Sequence, residues 1–226
     1  MSSTTLYRWS GIVLLVGSLL GVIASILDSV LNPSHDLTAQ QFLSTPFTII
    51  ASLFLVWSLL LAMSLPGFYL RQAARAGALG FVGFVLFWLA LLLGCVAFAS
   101  AQVIDWPYLA QYAPKLLPSG ATGPVLGGLL WIFGPTLLFG VGSILLGIAT
   151  MRAHVFPRWI GILLLISGVL FLLSFPLTAS LFGEIIDLAS NLTFFVAFAW
   201  CGYTLIARGK EPVAVTFAPA GAQVSR

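Results

Sequence analysis

The chain has 226 residues, of which nine are Lys or Arg and six are Asp or Glu, so charged side chains make up 7% of the sequence. Hydrophobic residues make up 60% and the mean hydropathy is +1.11, and one soluble core could not hide so much apolar surface behind so few charges. The composition predicts an integral membrane protein. A net charge of +3 along the whole chain supplies no basic stripe for phosphate groups, which excludes nucleic-acid binding.

Six apolar runs have about the length, roughly 20 residues, that a helix needs to cross the hydrocarbon of a bilayer. They cover residues 7–31, 46–65, 77–101, 124–151, 157–177 and 183–206. Their residues are apolar at consecutive positions, which is typical of membrane helices and not of barrel strands. The sequence therefore predicts an all-α fold. We expect a bundle of six transmembrane helices in residues 1–208, arranged as three hairpins, and a flexible cytoplasmic tail in residues 209–226.

The basic residues predict the orientation, because cytoplasmic ends of membrane helices retain Lys and Arg. With Lys115 as the exception, all of them fall on one side of the predicted bundle: Arg8, Arg71, Arg75, Arg152, Arg158, Arg208, Lys210 and Arg226. We therefore expect both termini in the cytoplasm, and the even number of spans agrees with this.

The first apolar run also resembles a cleavable signal peptide, with Arg8 before it and the small-residue pattern Val22-Ile23-Ala24 within it. Cleavage would leave five spans and an external N-terminus. The run continues through Ile26, past the candidate cleavage site, and this favours a first membrane helix. The sequence leaves the cleaved form as an alternative.

A short repeat supports the three-hairpin arrangement. The segment that begins Arg8-Trp9-Ser10-Gly11 matches the segment that begins Arg158-Trp159-Ile160-Gly161, and Arg75-Ala76-Gly77 is a looser third copy. The alternative interpretation is that Arg-Trp is a common anchor at membrane interfaces.

Small residues at helical spacing predict the faces on which helices approach each other. One stripe lies in the first run, at Gly17, Gly21, Ala24 and Asp28, and the other lies in the fourth, at Thr136, Gly140, Ser143 and Gly147. We expect both stripes to face other helices and not lipid.

Several chemistries lack the residues they need. Histidine occurs only at positions 35 and 154, outside the predicted spans, so a haem or a multi-histidine iron site between membrane helices has no ligands. The two lysines, Lys115 and Lys210, also lie outside the spans, which excludes a retinal Schiff base. No serine has a histidine base at membrane depth, and no ionisable group lies near the bilayer centre, as a proton pump requires. We expect no catalytic residues, no metal and no cofactor.

Acidic and amide side chains gather at the predicted external ends. Glu184, Asp187 and Asn191 follow i, i+3, i+7 on one helix face, and Asp28 continues the first stripe of small residues. If the first and last helices are neighbours, these residues form an acidic, outward-facing vestibule suited to a cation or an amine, with His35 and Asp36 above it. The alternative is a solvated membrane rim, since acids in a first helical turn are favoured by the helix dipole. Asp28 fits that alternative less well, because it lies near a helix C-terminus.

One stretch resembles a loose set of uncharacterised bacterial multi-pass proteins. It runs from Leu65-Pro66-Gly67-Phe68-Tyr69-Leu70-Arg71 to Arg75-Ala76-Gly77-Ala78-Leu79-Gly80-Phe81. Those proteins carry a similar Pro-Gly-aromatic-Tyr-x-Arg turn and a similar Arg-x-Gly-x-x-Gly helix start. The resemblance implies the plasma membrane of a prokaryote and supplies no activity.

The sequence favours a non-enzymatic membrane protein, either an accessory subunit of a membrane assembly or a binder of lipid-like molecules. The phenylalanines of the last span, including Phe194, Phe195 and Phe198, could contact a lipid tail, a quinone or a carotenoid, although helix packing is the commoner role. The second interpretation is a small carrier or channel for a cationic or amphipathic solute, which would enter through the acidic vestibule. An intramembrane enzyme is a third. The expected partners are membrane lipids and other membrane subunits or a second copy of the chain.

Overall fold

A computed structural model of the chain describes residues 3–31, 37–117, 125–177 and 180–208. Its regular structure in these ranges is entirely helical, which confirms the predicted all-α class. The α-helices are α1 (Ser3–Leu31), α2 (Ala39–Phe42), α3 (Thr45–Ala90), α4 (Ala97–Val103), α5 (Asp105–Tyr112), α6 (Val125–Ala153), α7 (Arg158–Ser174) and α8 (Leu181–Arg208). A π-helical segment, Leu91–Val96, joins α3 to α4. The predicted tail at 209–226 and the pair His35 and Asp36 lie outside the described residues.

Four helical stretches are long and apolar enough to cross a membrane: Thr5–Leu31, Thr45–Tyr112, Gly134–Ala153 and Leu181–Ala207. The stretch from Thr45 to Tyr112 has 68 residues, about three times the length that one crossing needs, and α7 is apolar but only 17 residues long. Length and composition thus support a membrane-embedded helical protein.

Gly77 divides α3 into two parts. Its φ of 60° and ψ of −164° are not helical, and only glycine adopts this backbone region readily. The two parts fold back on each other, since the ring of Tyr69 stacks on that of Phe84 at 4.5 Å. The residues between 65 and 77, predicted to form a turn, are instead helical, and α3 continues through Pro66 up to Gly77.

The long helices form a closed ring in chain order. α1 packs against the first part of α3, and the second part of α3 packs against α6; α6 then packs against α7, α7 against α8, and α8 against α1. Two ends of this ring can be distinguished. One carries Gly77, the α6–α7 turn and the start of α1, and the other carries the start of α8. We call them the Gly77 end and the Asp187 end.

Glycines of the short repeat lie at two of these helix pairs. A Cβ atom placed on Gly11 of α1 would lie 2.8 Å from the carbonyl oxygen of Gly202 in α8. A Cβ atom on Gly161 of α7 would lie 2.6 Å from the carbonyl oxygen of Gly147 in α6. Glycine at these positions lets the two backbones come close enough for the helices to pack.

The centre of the ring is filled by phenylalanine side chains. We define the aromatic core as five residues from both parts of α3, from α6 and from α8: Phe68, Phe87, Phe139, Phe194 and Phe198. The rings of Phe87 and Phe139 lie 5.1 Å apart, and those of Phe194 and Phe198 lie 4.8 Å apart. These separations are typical of packed aromatic side chains. The aromatic core therefore separates the polar groups of the Gly77 end from those of the Asp187 end.

Candidate functional site at the Asp187 end

The start of α8 carries the predicted acidic residues. The hydroxyl of Ser180 accepts a hydrogen bond from the backbone N–H of Gly183 at 3.1 Å, which caps the helix. Glu184 lies in the first turn, and Asp187 lies one turn further. Both side chains are half-buried, and the positive end of the helix dipole favours the negative charge of Glu184.

Asp187 is held by side chains of two helices. The amide nitrogen of Asn191 donates a hydrogen bond of 2.9 Å to its Oδ2 atom. From α7, the hydroxyl of Ser174 lies 3.4 Å from its Oδ1 atom and also donates to the carbonyl of Phe171 at 2.9 Å. We call Asp187, Asn191 and Ser174 the Asp187 cluster. It fixes one carboxylate at the junction of α7 and α8, where the group could hold a cation or accept hydrogen bonds.

Asp28 lies at the same end of the ring. Gly21 of α1 faces the ring of Phe195 in α8, and the two helices run in opposite directions. Asp28, two turns beyond Gly21, therefore comes level with the Asp187 cluster. Its side chain is half-buried and takes part in a hydrogen bond or an electrostatic interaction. The structure thus places Asp28 and Asp187 at one height of neighbouring helices.

Further from the Asp187 end, serine hydroxyl groups link α7 to its neighbours α6 and α8. Ser190 of α8 donates a hydrogen bond of 2.9 Å to the carbonyl of Ser167 in α7. Ser143 of α6 donates one of 2.8 Å to the carbonyl of Leu164, also in α7. These bonds satisfy the hydroxyl groups between apolar helices, where an unpaired polar group is costly.

The fourth-span stripe lies against α7 at three of its four positions. Gly140 meets the side chain of Leu172, Ser143 bonds Leu164, and a Cβ atom on Gly147 would lie 2.9 Å from the backbone nitrogen of Leu165. Thr136, the fourth member, is half-buried and has an interaction of its own.

The first-span stripe lies between two helices. A Cβ atom on Gly17 would lie 3.2 Å from the Cβ atom of Leu60 in α3, whereas Gly21 faces Phe195 of α8. Ala24 is fully buried. The stripe therefore follows the groove between α3 and α8, and Asp28 lies at its end.

The phenylalanines considered as possible contacts for a lipid tail or a pigment are buried within the chain. Phe194 and Phe195 are each 1% exposed and Phe198 is 0% exposed. The ring of Phe195 meets that of Trp57 edge to face at 5.1 Å. In the described residues, the partners of these rings are thus other side chains of the protein.

No metal-binding group was found among residues 3–31, 37–117, 125–177 and 180–208, where no three His, Cys, Asp or Glu side chains lie close enough together. At the Asp187 end, side chains of α7 and α8 come together in the Asp187 cluster.

Sequence reasoning missed several buried polar residues. Ser174 was not predicted as a site residue, because no charged residue lies near it in the sequence. Gln72 stands between Arg71 and Arg75, outside the predicted spans 46–65 and 77–101, but the continuation of α3 leaves it 1% exposed. One signal in the sequence could have placed it on the inner face. Gln72 continues the helical spacing of the apolar residues Trp57, Leu61, Leu65 and Phe68.

The chain matches no protein-family profile, no curated protein and no solved structure.

Proposed function

We propose that this chain is a non-enzymatic integral membrane protein with six transmembrane spans and both termini in the cytoplasm. Gly77 supplies the turn that makes two spans of α3 and its extension, and α7 with the turn Phe175–Leu177 supplies the fifth. The guanidinium carbon of Arg71 lies 5.3 Å from the ring centre of Tyr7, so the start of α1 lies beside the Gly77 turn. Arginines thereby gather at the Gly77 end, which supports a cytoplasmic location for it.

The resemblance of residues 65–81 to bacterial multi-pass proteins supports the plasma membrane of a prokaryote as the location. We propose membrane lipids as partners, together with other membrane subunits or a second copy of the chain.

The proposed role is that of an accessory subunit in a membrane assembly or of a binder of lipid-like molecules. The observation that carries it is the aromatic core. Phe68, Phe87 and Phe198 are each 0% exposed, so their rings fill the centre through which a solute would have to pass. We therefore propose that the protein acts through its outer surface and its two ends.

That outer surface has an extended apolar ridge on α1. Its members recur at helical spacing and are Leu19 at 53% exposed, Ile23 at 49%, Ile26 at 48% and Val30 at 68%. Such a face suits lipid tails or the apolar helix of another subunit.

The test is native mass spectrometry of the protein extracted from its own membrane in nanodiscs. We expect a retained subunit or a lipid adduct of fixed stoichiometry. Asp187→Asn and Glu184→Gln form a matched pair, because each neutralises one carboxylate of α8 and only Asp187 is held by two side chains. If a retained lipid is lost in Asp187→Asn but not in Glu184→Gln, the lipid headgroup binds at the Asp187 cluster. A bare monomer in every preparation contradicts the proposed role.

A second candidate is a small carrier or channel for a cationic or amphipathic solute. It is favoured by the Asp187 cluster and by the position of Asp28 at the same height. In this alternative the two carboxylates attract the cation, and the aromatic core has to open for passage. Uptake of organic cations into proteoliposomes separates the two candidates.

A further inference from the structure

The strongest unassigned feature is a buried amide at the Gly77 end. The side chain of Gln72 is 1% exposed, and neither its nitrogen nor its oxygen has a hydrogen-bond partner among the described residues. An amide without partners in apolar surroundings is strongly disfavoured, so buried amides are nearly always satisfied. Gln72 therefore needs a partner beyond the side chains around it.

A second unpartnered group lies at the same level. Thr150 of α6 is 0% exposed, and its hydroxyl has no partner in the described part of the chain. A Cβ atom placed on Gly80 of α3 would lie 3.3 Å from the Cβ atom of Ala149 in α6, the residue next to Thr150. Gln72 lies on the other part of α3, one turn before Ala76, which also contacts Gly80. The turn at Gly77 thus brings Gln72 and Thr150 to one height of the ring.

Both residues lie on faces that point to the centre of the ring. Gln72 follows Phe68 by one turn of α3, and Thr150 follows Leu146 by one turn of α6; Phe68 and Leu146 are both 0% exposed members of the central cluster. Two helices therefore direct their unpartnered groups toward the same interior region.

An aromatic side chain covers this region from the Gly77 end. Phe156, in the turn between α6 and α7, is 6% exposed, and its ring lies 5.1 Å from that of Phe68. The turn begins at His154, whose φ of 53° lets the chain leave α6 in a new direction. Phe156 thus lies between Phe68 and the solvent at the Gly77 end.

We propose that Gln72 and Thr150 form a binding site for a small uncharged molecule that carries both hydrogen-bond donors and acceptors. The amide offers two N–H donors and one acceptor oxygen, and the hydroxyl offers one of each. The buried polar residues of the described chain are Ser, Thr and Gln, so no fully buried ionised group is present there to pair with a charged ligand. Water is the smallest molecule of this class, and a small polyol such as glycerol has the same chemistry.

The test is hydroxyl-radical footprinting by X-ray radiolysis of the full chain in nanodiscs. Bound water close to a buried ring yields radicals that oxidise it, whereas a dry ring is protected from radicals of the bulk. We expect Phe68 and Phe156 to be oxidised in the wild type despite their burial. In Gln72→Leu and Thr150→Val this oxidation should fall several-fold. Ser64→Ala is the control, because Ser64 is equally buried on α3 but donates to the carbonyl of Leu61.

Addition of glycerol distinguishes water from a polyol as the ligand. The oxidation yield of each buried ring is normalised to that of the exposed ring of Tyr112. Protection of Phe68 and Phe156 by glycerol assigns the site to a polyol-sized solute, and unchanged oxidation assigns it to water. Either result supports the proposal. No oxidation of these rings in the wild type, or equal oxidation in all variants, would overturn it.

The melting temperature of the same variants provides a second, independent test of the proposed site. If Gln72 has no ligand, Gln72→Leu removes an unsatisfied amide and raises the melting temperature. If a ligand is bound, the same change removes its partner, and the melting temperature stays the same or falls. A rise in melting temperature therefore contradicts the proposed site.

Discussion

The indole N–H of Trp88 donates a hydrogen bond of 3.1 Å to the carbonyl oxygen of Ala62. That carbonyl lies four residues before Pro66, which has no N–H to offer it. The indole from the second part of α3 thus replaces the backbone donor missing from the first. This one contact explains how α3 continues through a proline, and it also joins the two parts of α3 on either side of Gly77.

The first prediction concerns this contact. Trp88→Phe leaves the Ala62 carbonyl without a donor, so we expect the free energy of unfolding in detergent to fall by about 1 to 3 kcal/mol beyond the effect of the smaller ring. Pro66→Ala restores a backbone donor and should recover much of this loss in the double variant. A double-mutant cycle measures the coupling, and additive effects of the two changes would show that the indole bond does not compensate for Pro66.

The sequence predicted the helical class and the apolar runs because both depend on composition and local periodicity. It misplaced the end of the second helix because proline usually ends a helix, and because the compensating donor, Trp88, lies 26 residues from Ala62. No local pattern predicts such a contact. The buried position of Gln72 was missed for the same reason.

The candidate site was only partly accessible from sequence. The spacing of Asp187 and Asn191 indicated a shared helix face, and they form a hydrogen bond. The contribution of Ser174 depends on how α7 packs against α8, which spacing within one helix does not determine. The equal height of Asp28 and Asp187 likewise depends on the closure of the ring by α1 and α8.

The second prediction concerns Gly77. Alanine at this position would have to adopt a backbone conformation reserved for glycine, so we expect Gly77→Ala to destabilise the protein by about 1 to 3 kcal/mol. Gly134→Ala is the control, since it also adds one methyl group to a glycine with nothing within 4 Å of the added atom. Thermal unfolding in detergent measures both variants. Equal melting temperatures would contradict the assigned turn.

The third prediction concerns the contact between α6 and α7. Gly140→Leu introduces a side chain where Leu172 already lies, and such overpacking costs about 1 to 3 kcal/mol. Gly134→Leu is the matched change on the same helix at a position with free space. Ala149 would be a poor control, because it is 0% exposed and faces Gly80. Similar thermal stability of the two leucine variants would remove Gly140 from the helix interface.

The fourth prediction concerns orientation. In a background with Cys95 and Cys201 replaced by alanine, Ala74→Cys places a thiol at the Gly77 end and Tyr112→Cys places one at the opposite end. Both positions are exposed. Because the arginines mark the cytoplasmic side, an impermeant maleimide added to intact cells should label Tyr112→Cys and not Ala74→Cys. The reverse pattern would show that the protein has the opposite orientation.

The measurement that tests the central claim most directly is uptake of radiolabelled choline, ethanolamine and tetraethylammonium into proteoliposomes. Because the aromatic core fills the centre of the ring, we predict that wild-type protein takes up none of them above the level of empty liposomes. Asp187→Asn and Asp28→Asn should then behave as the wild type does. Saturable uptake by the wild type that is lost in Asp187→Asn, with unchanged folding, would contradict the accessory or lipid-binding role and establish the carrier.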